Sequence, residues 1–442
     1  MTKARLDGLQ LLLLGCVFFV AIGALMEYSN PLGMTDFLQI YTSSRCVAHH
    51  HDPYRPDELL AFYQADTGSL LSDSGGVTHT LRMIVFIAPN LPTTLFLIAP
   101  IAALPWRLAV PIWMTLIAAG FILACYCVWK VGAESAPRLY GGLIFLLLVN
   151  SGLLLSAGNT AGLVVSLTVI AVCCFLQERF VPAGIVCLAI ALAMKPHDAG
   201  PIWLYFLLAG GARRKRALQT LVLTAAIILP SVLWVAHSAP HWAPELQSNL
   251  AAGLSSGGLN NPGPTTQGGR GIGMIISLQA LLSLIRDDAR FYNPAAYVIC
   301  GALLLIWCVR TLRISFSLRS SWLALAAISA LTMLPFYHRT YDARLLLLAI
   351  PACAMMFTGR GRLGRYALLL TLAAVILTGD LFWIVVFELT HYSGLSATYG
   401  TIPAPLVLLA TGIFYLWVYL RSDPARAPAE VAADLSPLTP ET

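Results

Sequence analysis

Long runs of apolar residues, separated by short polar segments, fill almost the whole of this chain. The first run follows a basic start, in MTKARLDGLQLLLLGCVFFVAIGALM. Twelve more runs follow, near residues 86–104, 107–129, 139–156, 160–177, 181–197, 199–212, 218–237, 293–312, 320–337, 344–358, 366–388 and 403–420. A helix of about 20 apolar residues crosses the hydrocarbon core of a bilayer and leaves no backbone group unpaired in lipid. The pattern predicts an all-α polytopic membrane protein.

Basic clusters limit the number of spans, because Lys and Arg collect on the cytoplasmic side of a membrane. Besides the N-terminus, these clusters are RRKR (213–216), RTLRISFSLR (310–319), GRGRLGR (359–365) and RSDPAR (421–426). Thirteen spans cannot place all of them inside, whereas twelve can. Either 86–104 lies in the outer interface without crossing, or 181–212 is one long broken helix.

The positive-inside rule favours the first alternative. It places three further basic residues inside: Lys130, Arg138 and Arg179. Three prolines also favour a broken interfacial element over a straight span in this segment: Pro89, Pro92 and Pro100. We therefore expect about twelve transmembrane helices.

This topology divides the chain into a membrane domain and a tail. Residues 1–420 form the integral membrane domain, in which 27–106 are a large first extracytoplasmic loop with interfacial helices. The Pro- and Ala-rich residues 421–442 are expected to be a disordered cytoplasmic tail. The first run has the composition of a signal peptide, but no convincing small-x-small cleavage site follows it. We expect an uncleaved first helix, with both termini cytoplasmic.

Composition supports the membrane class and excludes several others. Hydrophobic residues make up 58% of the chain, charged residues 11%, and the mean hydropathy is +0.76. These values leave no room for a soluble domain of ordinary size. The net charge of +6 comes from the basic clusters and reflects topology, so it predicts no nucleic-acid partner. Most of the ten cysteines lie inside apolar runs, where they pack as small hydrophobes and predict no disulfide framework.

Unusual polar groups converge on the outer side of this topology. They include Asp36, Arg45 and HHHD (49–52) in the first loop, then SAGNTAG (156–162), MKPHDAG (194–200) and PFYHRTYDAR (335–344). Ionisable residues so close to an apolar boundary are costly and usually mark a site. Pro196 and Pro201 are expected to break the helix beside Lys195, which frees backbone groups for partners. The sequence predicts a single extracytoplasmic site.

Three stretches of the chain resemble glycosyltransferase family 87, which belongs to the GT-C superfamily. They are TDFLQIY with DPY after the first helix, SAGNTAGLVVSLTVIAVCCFLQERFVPAGIVCLAIALAMKPHDAGPIWLYFLLAGGARRKR, and LPFYHRTYDARLLLL. The middle stretch is the most specific, since a Gly-Asn step, a hydrophobic hairpin, a Lys-Pro step and a basic cluster follow in fixed order. Members of this family use polyprenyl-phosphate sugars, and many are mannosyltransferases.

The resemblance implies a GT-C fold and an inverting hexosyltransferase of the bacterial inner membrane. A hexose, with mannose expected, would pass from a polyprenyl-phosphate carrier to a lipid-linked or cell-envelope acceptor at the outer face. Asp36 matches the aspartate that acts as general base in this family. Candidates for binding the donor phosphate are Arg82, Lys195, His197, His338 and Arg339. The expected substrate pocket includes Tyr41, Tyr54 and Asn159, and neither a metal nor a cofactor is required.

Each of these residues also has an ordinary structural interpretation. Asp36 can cap the helix that follows it, and Lys195 can extend from a helix end to the lipid headgroups. The HHHD segment resembles a metal cluster, but adjacent residues on a helix point in different directions, which favours a solvated loop. Asp342 and Arg344 can pair with each other.

Two other functions remain open from the sequence. A transporter or flippase of polyprenyl-linked or other anionic lipids would also use cations at the outer face. It would need charged residues near the bilayer midplane, where this sequence offers few. A non-catalytic partner in an envelope-assembly complex would tolerate the loss of Asp36.

Overall fold

The computed structural model describes residues 2–29, 34–67, 85, 87–255, 258–263, 275–390 and 402–422. This part of the chain consists of α-helices without a β-strand, which confirms the predicted all-α class. In chain order the helices are α1 (Lys3–Ser29), α2 (Thr35–Ala48), α3 (Pro56–Thr67), α4 (Pro92–Ala102), α5 (Trp106–Gly132), α6 (Pro137–Val149), α7 (Leu153–Ser156), α8 (Ala161–Leu176), α9 (Val181–Met194), α10 (Pro196–Leu208), α11 (Gly211–Ser238), α12 (Trp242–Leu254), α13 (Leu278–Ser283), α14 (Ala289–Arg313), α15 (Leu318–Leu331), α16 (Ile350–Thr358), α17 (Arg362–Leu377), α18 (Asp380–Thr390) and α19 (Pro403–Arg421). A 3₁₀ helix, Asp342–Ala349, lies between α15 and α16.

Six stretches of helix in the described residues are long and apolar enough to cross a membrane. They are α1, α5, the continuous stretch of α6 and α7, α11, α14 and α19. The total is seven if α17 and the start of α18, which meet at an angle of 61°, count as one span. Four shorter apolar helices, α4, α8, α9 and α15, have 11 to 16 residues. The described chain is therefore a helical protein with six or seven candidate spans, and the count of twelve stays a prediction.

The described part of the predicted first outer loop contains three helices, α2, α3 and α4. The proline-rich segment 86–104 folds in part as α4, which has 11 residues and packs against α2 and α11. A helix of this length extends about 16 Å, about half the thickness of the hydrocarbon core. This length agrees with the expectation that 86–104 is not a straight span. The predicted tail lies outside the described residues beyond Ser422.

The helical segment 181–208 breaks at Lys195, as the Lys-Pro step predicts. Helix α9 ends at Met194, Lys195 takes a non-helical conformation (φ −142°, ψ 81°), and Pro196 begins α10. The break leaves the last carbonyls of α9 without intrahelical partners. Two threonines at the start of α4 supply them: Thr93 Oγ1 donates to the Ala193 carbonyl, and Thr94 Oγ1 donates to the Met194 carbonyl at 3.1 Å. Both carbonyls therefore accept a hydrogen bond from a side chain of α4.

Pro201 does not break the helix, so that part of the expectation is wrong. It lies inside α10, where its missing N–H leaves the His197 carbonyl unpaired within the helix. Thr332 Oγ1 donates to this carbonyl at 3.3 Å from the C-terminal end of α15. A neighbouring side chain thus replaces the lost backbone bond, and the helix continues.

Helices α1 and α6 pack at backbone distance because glycines line their contact. A Cβ atom placed on Gly141 would lie 2.4 Å from the Gly8 carbonyl oxygen, and one placed on Gly8 would lie 2.3 Å from the Pro137 carbonyl oxygen. No side chain fits in these gaps. Small residues that allow such close approach are common where membrane helices associate.

The 3₁₀ helix holds a buried arginine that ties three segments together. Arg344 is 1% exposed and donates to the carbonyls of Asn150 at 2.7 Å, of Thr340 at 3.1 Å and of Thr378. Its described hydrogen-bond partners are these carbonyls and, at 3.3 Å, the Ser151 hydroxyl. The alternative that Arg344 simply pairs with Asp342 is wrong, because Asp342 has a different partner, described below.

Candidate functional site

A cavity of about 340 Å³ gathers the chemically active residues from segments that are far apart in sequence. Its walls come from the first two turns of α2, residues 87–91 before α4, residues 159–160 before α8, the break between α9 and α10, the end of α12 with residues 259–260, and residues 337–342. The ionisable residues that line it are Asp36, Lys195, His197, Tyr337, Arg339, Tyr341 and Asp342. Asn159, a predicted pocket residue, lies among them.

The start of α2 is held by the SAGN loop rather than by its own side chains. Met34 N–H donates to the Ser156 carbonyl at 2.8 Å, and Asp36 N–H donates to the Ala157 carbonyl at 3.1 Å. Helices need such partners because their first N–H groups have none within the helix. The described contacts include no side-chain cap for α2. The carboxylate of Asp36 is therefore not used as a helix cap, and it faces the cavity.

Asn159 orients this carboxylate. Its Nδ2 donates to Asp36 Oδ2 at 2.6 Å, while its Oδ1 accepts from the Ala161 N–H at 2.8 Å. Because Oδ1 accepts from the Ala161 N–H, the Nδ2 end of the amide points at Asp36. Burial raises the pKa of Asp36, and the hydrogen bond from Asn159 lowers it in part, as do the charges of Arg339 and Lys195. Asp36 is thus a half-buried carboxylate whose affinity for a proton is above the ordinary value.

Lys195 lies at the helix break between two buried carboxylates. Its Nζ is 2.5 Å from Asp342 Oδ1 and 3.0 Å from Asp198 Oδ2. Two carboxylates at this distance stabilise the charged form of Lys195. Lys195 is therefore a permanent cation held inside the protein, which argues against simple extension to the headgroups.

Arg339 brings a second cation to the same cavity. Its backbone N–H donates to Asp342 Oδ2 at 2.9 Å, so Asp342 links the Lys195 ammonium to the Arg339 backbone. The guanidinium donates from Nη2 to the Leu259 carbonyl at 3.2 Å and from Nε to the Tyr337 hydroxyl. These contacts direct the planar group along the cavity wall.

The two histidines proposed for the donor phosphate lie in different places. His197 lines the cavity, and 42% of its side chain is exposed. His338 is fully buried, with Nε2 3.0 Å from Asp198 Oδ1 and Nδ1 3.1 Å from the Phe336 carbonyl. Both ring nitrogens of His338 have partners, and the ring does not line the cavity. His338 therefore holds Asp198 in place and does not contact a ligand in the cavity.

His197, Asp198 and His338 also offer three potential metal ligands within 4.8 Å of one another. The Lys195 ammonium competes for this position, since it is 3.0 Å from Asp198 Oδ2. The Nε2 atom of His338 is already paired with the other oxygen of the same carboxylate. The geometry favours an ion-pair network with lysine at its centre over a metal centre.

Two other predicted site residues, Tyr41 and Tyr54, do not lie in the described cavity wall. Tyr41 is buried and donates to the Leu104 carbonyl at 2.8 Å, and Tyr54 is buried and donates to the Asn90 carbonyl at 2.8 Å. These hydroxyls brace the outer loop, and Tyr54 holds the backbone of Asn90, which lines the cavity. Arg82 lies outside the described residues. The three histidines 49–51 are exposed where α2 ends, as expected for a solvated turn.

Several cavity residues carry no signal in the sequence. Gln39 Nε2 donates to the Ile87 carbonyl at 3.0 Å, and Asn90 Nδ2 donates to Gln39 Oε1 at 3.0 Å. Asn249 of α12 joins the first loop to the cavity, because its Nδ2 donates to the Tyr54 carbonyl at 2.9 Å and the Ala88 carbonyl at 3.2 Å. Amides of this kind occur in any polar loop, so their position in one wall follows only from tertiary packing.

Comparison of the chain with protein-family models, curated protein sequences and solved structures finds no match.

Proposed function

We propose that this protein is an inverting GT-C-type glycosyltransferase that moves a hexose, with mannose expected, from a polyprenyl-phosphate carrier to a lipid-linked or cell-envelope acceptor. The observation that carries the proposal is the oriented carboxylate of Asp36, which faces a cavity shared with Arg339. A base and a phosphate-binding cation in one cavity are the two groups that a single displacement at a sugar phosphate needs.

The proposed reaction proceeds in one step. An acceptor hydroxyl oxygen attacks the anomeric carbon, and its proton passes to Asp36. The bond between the anomeric carbon and the phosphate oxygen breaks, and its electron pair leaves with the polyprenyl phosphate. Attack opposite the leaving group inverts the anomeric configuration, as in inverting glycosidases. Asn159 keeps Asp36 Oδ2 occupied, which leaves Oδ1 as the atom that receives the proton.

Arg339 is the cation best placed to bind the donor phosphate. Asp198 and Asp342 already balance the charge of Lys195 at close range. Among the described residues, the cavity and the groups that support it contain three carboxylates and two permanent cations, Lys195 and Arg339. The net charge of these five groups therefore does not attract a phosphate. Recognition instead depends on the directional N–H groups of the guanidinium, which suit phosphate geometry. His197 adds a hydrogen bond at the cavity wall.

The proposal includes the finer topology predicted from the sequence. The protein would lie in the bacterial inner membrane with about twelve spans, a GT-C fold, cytoplasmic termini and an extracytoplasmic cavity. Single cysteines at Ser156, His197 and Arg339 are expected to react with an impermeant reagent added from outside, while cysteines at Arg138 and Arg214 are not. A cytoplasmic tag signal at Arg107 would contradict the assignment of 86–104 to the interface.

The direct test is transfer from a labelled polyprenyl-phosphate hexose to a membrane lipid extract by purified protein. Asp36→Asn is expected to abolish product formation while donor binding is kept, because the amide cannot take the hydroxyl proton. Asp57→Asn is the matched control, since Asp57 is an exposed carboxylate on α3. Equal turnover by Asp36→Asn would refute the assignment of the base. Movement of the labelled donor across proteoliposomes without product would favour the transporter.

A further inference from the structure

Two hydroxyl groups in the wall of the Asp36 cavity are free to meet a ligand. They belong to Thr160 and Tyr341, residues that are 5% and 8% exposed. Neither hydroxyl has a hydrogen-bond partner among the described residues. Both oxygen atoms are accessible from the cavity, whereas the partnerless hydroxyl of the neighbouring Thr340 is enclosed by protein. Since native proteins pair almost all buried polar atoms, two free hydroxyls in one cavity wall point to a ligand.

The Thr160 hydroxyl is not used for the start of α8. Thr160 is the N-cap residue of this helix, where a threonine side chain ordinarily accepts a hydrogen bond from the first turn. Here its side chain makes no such bond. The preceding residue supplies an acceptor instead, because Asn159 Oδ1 accepts from the Ala161 N–H at 2.8 Å. The Thr160 hydroxyl is therefore left for the cavity.

Tyr341 is held through its ring, which leaves its hydroxyl available. The centre of the ring lies 5.5 Å from Lys195 Nζ, within the range of a cation–π contact. The charges of Asp36 and Arg339 both act on the hydroxyl, so it lies near the proposed base and near the proposed phosphate-binding cation. A phenylalanine at this position would keep the ring contact and lose only the hydroxyl.

Both hydroxyls lie beside the path of the proposed displacement. Thr160 follows Asn159, which holds Asp36 Oδ2 at 2.6 Å, and Tyr341 is two positions from Arg339. The anomeric carbon must lie between the base and the phosphate-binding cation, because the acceptor attacks it from one side and the phosphate leaves from the other. Of the two ring atoms bonded to this carbon, only C2 carries a hydroxyl. The C2 hydroxyl is therefore the sugar hydroxyl nearest to this path.

We infer that the hydroxyls of Thr160 and Tyr341 bind the C2 hydroxyl of the transferred hexose and determine which configuration at C2 is accepted. This inference rests on the proposed function. Mannose and glucose differ only at this carbon, so the two side chains set the choice between these donors. Hydrogen bonds to the C2 hydroxyl strengthen in the transition state of glycosidic bond cleavage. A site built to bond a substrate hydroxyl also rejects the analogue that lacks it.

Tyr341→Phe and Thr160→Val test the inference, because each removes a hydroxyl and nearly keeps the volume of the side chain. Transfer is measured from polyprenyl-phosphate mannose, polyprenyl-phosphate glucose and polyprenyl-phosphate 2-deoxyglucose, whose sugar is the 2-deoxy form of both. Each variant is expected to lower kcat/KM for the preferred epimer about tenfold and to leave the 2-deoxy donor unchanged. Thr340→Val, which removes the enclosed hydroxyl next to Tyr341, is the matched control and should change neither value.

Three results would overturn the inference. An equal loss with the 2-deoxy donor in both variants would place the two hydroxyls on the phosphate. Unchanged values with all three donors in both variants would remove them from the substrate. A melting temperature that falls in Thr160→Val and Tyr341→Phe but not in Thr340→Val, with donor preference unchanged, would show that the hydroxyls serve the fold.

A binding experiment separates this inference from the proposed function. The Asp36→Asn protein is expected to hold a donor without turnover, so the Kd of each labelled donor is measured in this background. Addition of Tyr341→Phe should raise the Kd of the preferred epimer about fivefold and leave that of the 2-deoxy donor unchanged. This pattern without transfer by the original protein would support the C2 contact and refute the transferase. Transfer by the original protein, with equal effects of Tyr341→Phe on all donors, would support the transferase and refute the C2 contact.

Discussion

Asn159 Nδ2 donates a 2.6 Å hydrogen bond to Asp36 Oδ2, although 123 residues separate the two in sequence. The same asparagine accepts the Ala161 N–H at the entrance to α8 through its other amide atom. The orientation of the proposed base is thus tied to the backbone of a separate helix. A positioning contact of this kind affects the proton affinity of the carboxylate as well as its direction.

Replacement of Asn159 by alanine is expected to shift the pH dependence of transfer. Burial raises the pKa of Asp36, and the hydrogen bond from Asn159 lowers it, so loss of the bond raises the pKa further. Only the carboxylate accepts a proton, so activity falls as the pH falls through this pKa. The acidic limb of the kcat/KM profile should therefore move to higher pH, with kcat at neutral pH about tenfold lower or more.

Asn159→Asp provides the comparison variant. It keeps an oxygen for the Ala161 N–H but places a second carboxylate against Asp36, and like charges disfavour each other's ionised form. The acidic limb should move further than in Asn159→Ala. An unchanged limb in both variants would show that Asp36 is not the group that titrates in the profile.

Lys195 and Asp342 should contribute unequally to stability. Lys195→Met leaves Asp198 and Asp342 buried without their cation, whereas Asp342→Asn leaves Lys195 paired with Asp198. Breaking a buried pair at the shared cation costs about 3–5 kcal/mol. We expect a lower melting temperature for Lys195→Met than for Asp342→Asn, measured on purified protein in one detergent.

The pH dependence of the same variants checks the cause. Unpaired buried carboxylates have a raised pKa in the folded state, so the stability of Lys195→Met should recover in part as the pH is lowered. Lys130→Met, which removes an exposed lysine near the end of α5, should change little at any pH. If Lys195→Met melts like the Lys130 variant, the ion-pair network does not stabilise the fold.

Sequence chemistry predicts those parts of the fold that depend on neighbours in the chain. The break at Lys195 follows from Pro196, and the start of α4 follows from Pro92. Pro201 shows the limit of such reasoning, because the effect of a helical proline depends on whether a distant donor reaches the freed carbonyl. Here Thr332 does so from α15, 135 residues further along the chain.

The candidate site was predictable in composition but not in arrangement. The motifs place Asp36, Asn159, Lys195, His197 and Arg339 in one region, and the structure brings them to one cavity. The sequence does not show which of the motif residues line the cavity and which hold a lining residue in place, because burial in the folded protein decides between these roles.

The partner of Asp342 shows the same limit. It is a lysine 147 residues away rather than the arginine two positions along the chain. Pairings of this kind depend on packing between distant segments, which no local pattern records.

The contact between α1 and α6 predicts opposite outcomes at two neighbouring glycines. A Cβ on Gly141 would lie 2.4 Å from the Gly8 carbonyl oxygen, whereas one on Gly142 would meet no atom within 4 Å. Gly141→Ala should therefore destabilise the protein by about 1–3 kcal/mol through overpacking. Gly142→Ala should be neutral or stabilising, since alanine is about 1 kcal/mol better than glycine in a helix. Equal melting temperatures for both variants would contradict the close approach of the two helices.

Arg339 and His338 are adjacent in sequence, but their variants should differ in the kinetic constant that changes. Arg339 lines the cavity, so Arg339→Gln removes charged N–H donors and should raise the donor KM about tenfold or more. His338 is fully buried against Asp198, so His338→Gln should lower thermal stability and kcat while the donor KM stays near the original value. Initial rates over a donor series, with melting curves on the same preparations, separate these effects. A raised donor KM in His338→Gln alone would place the phosphate beside His338 and require the cavity to open there.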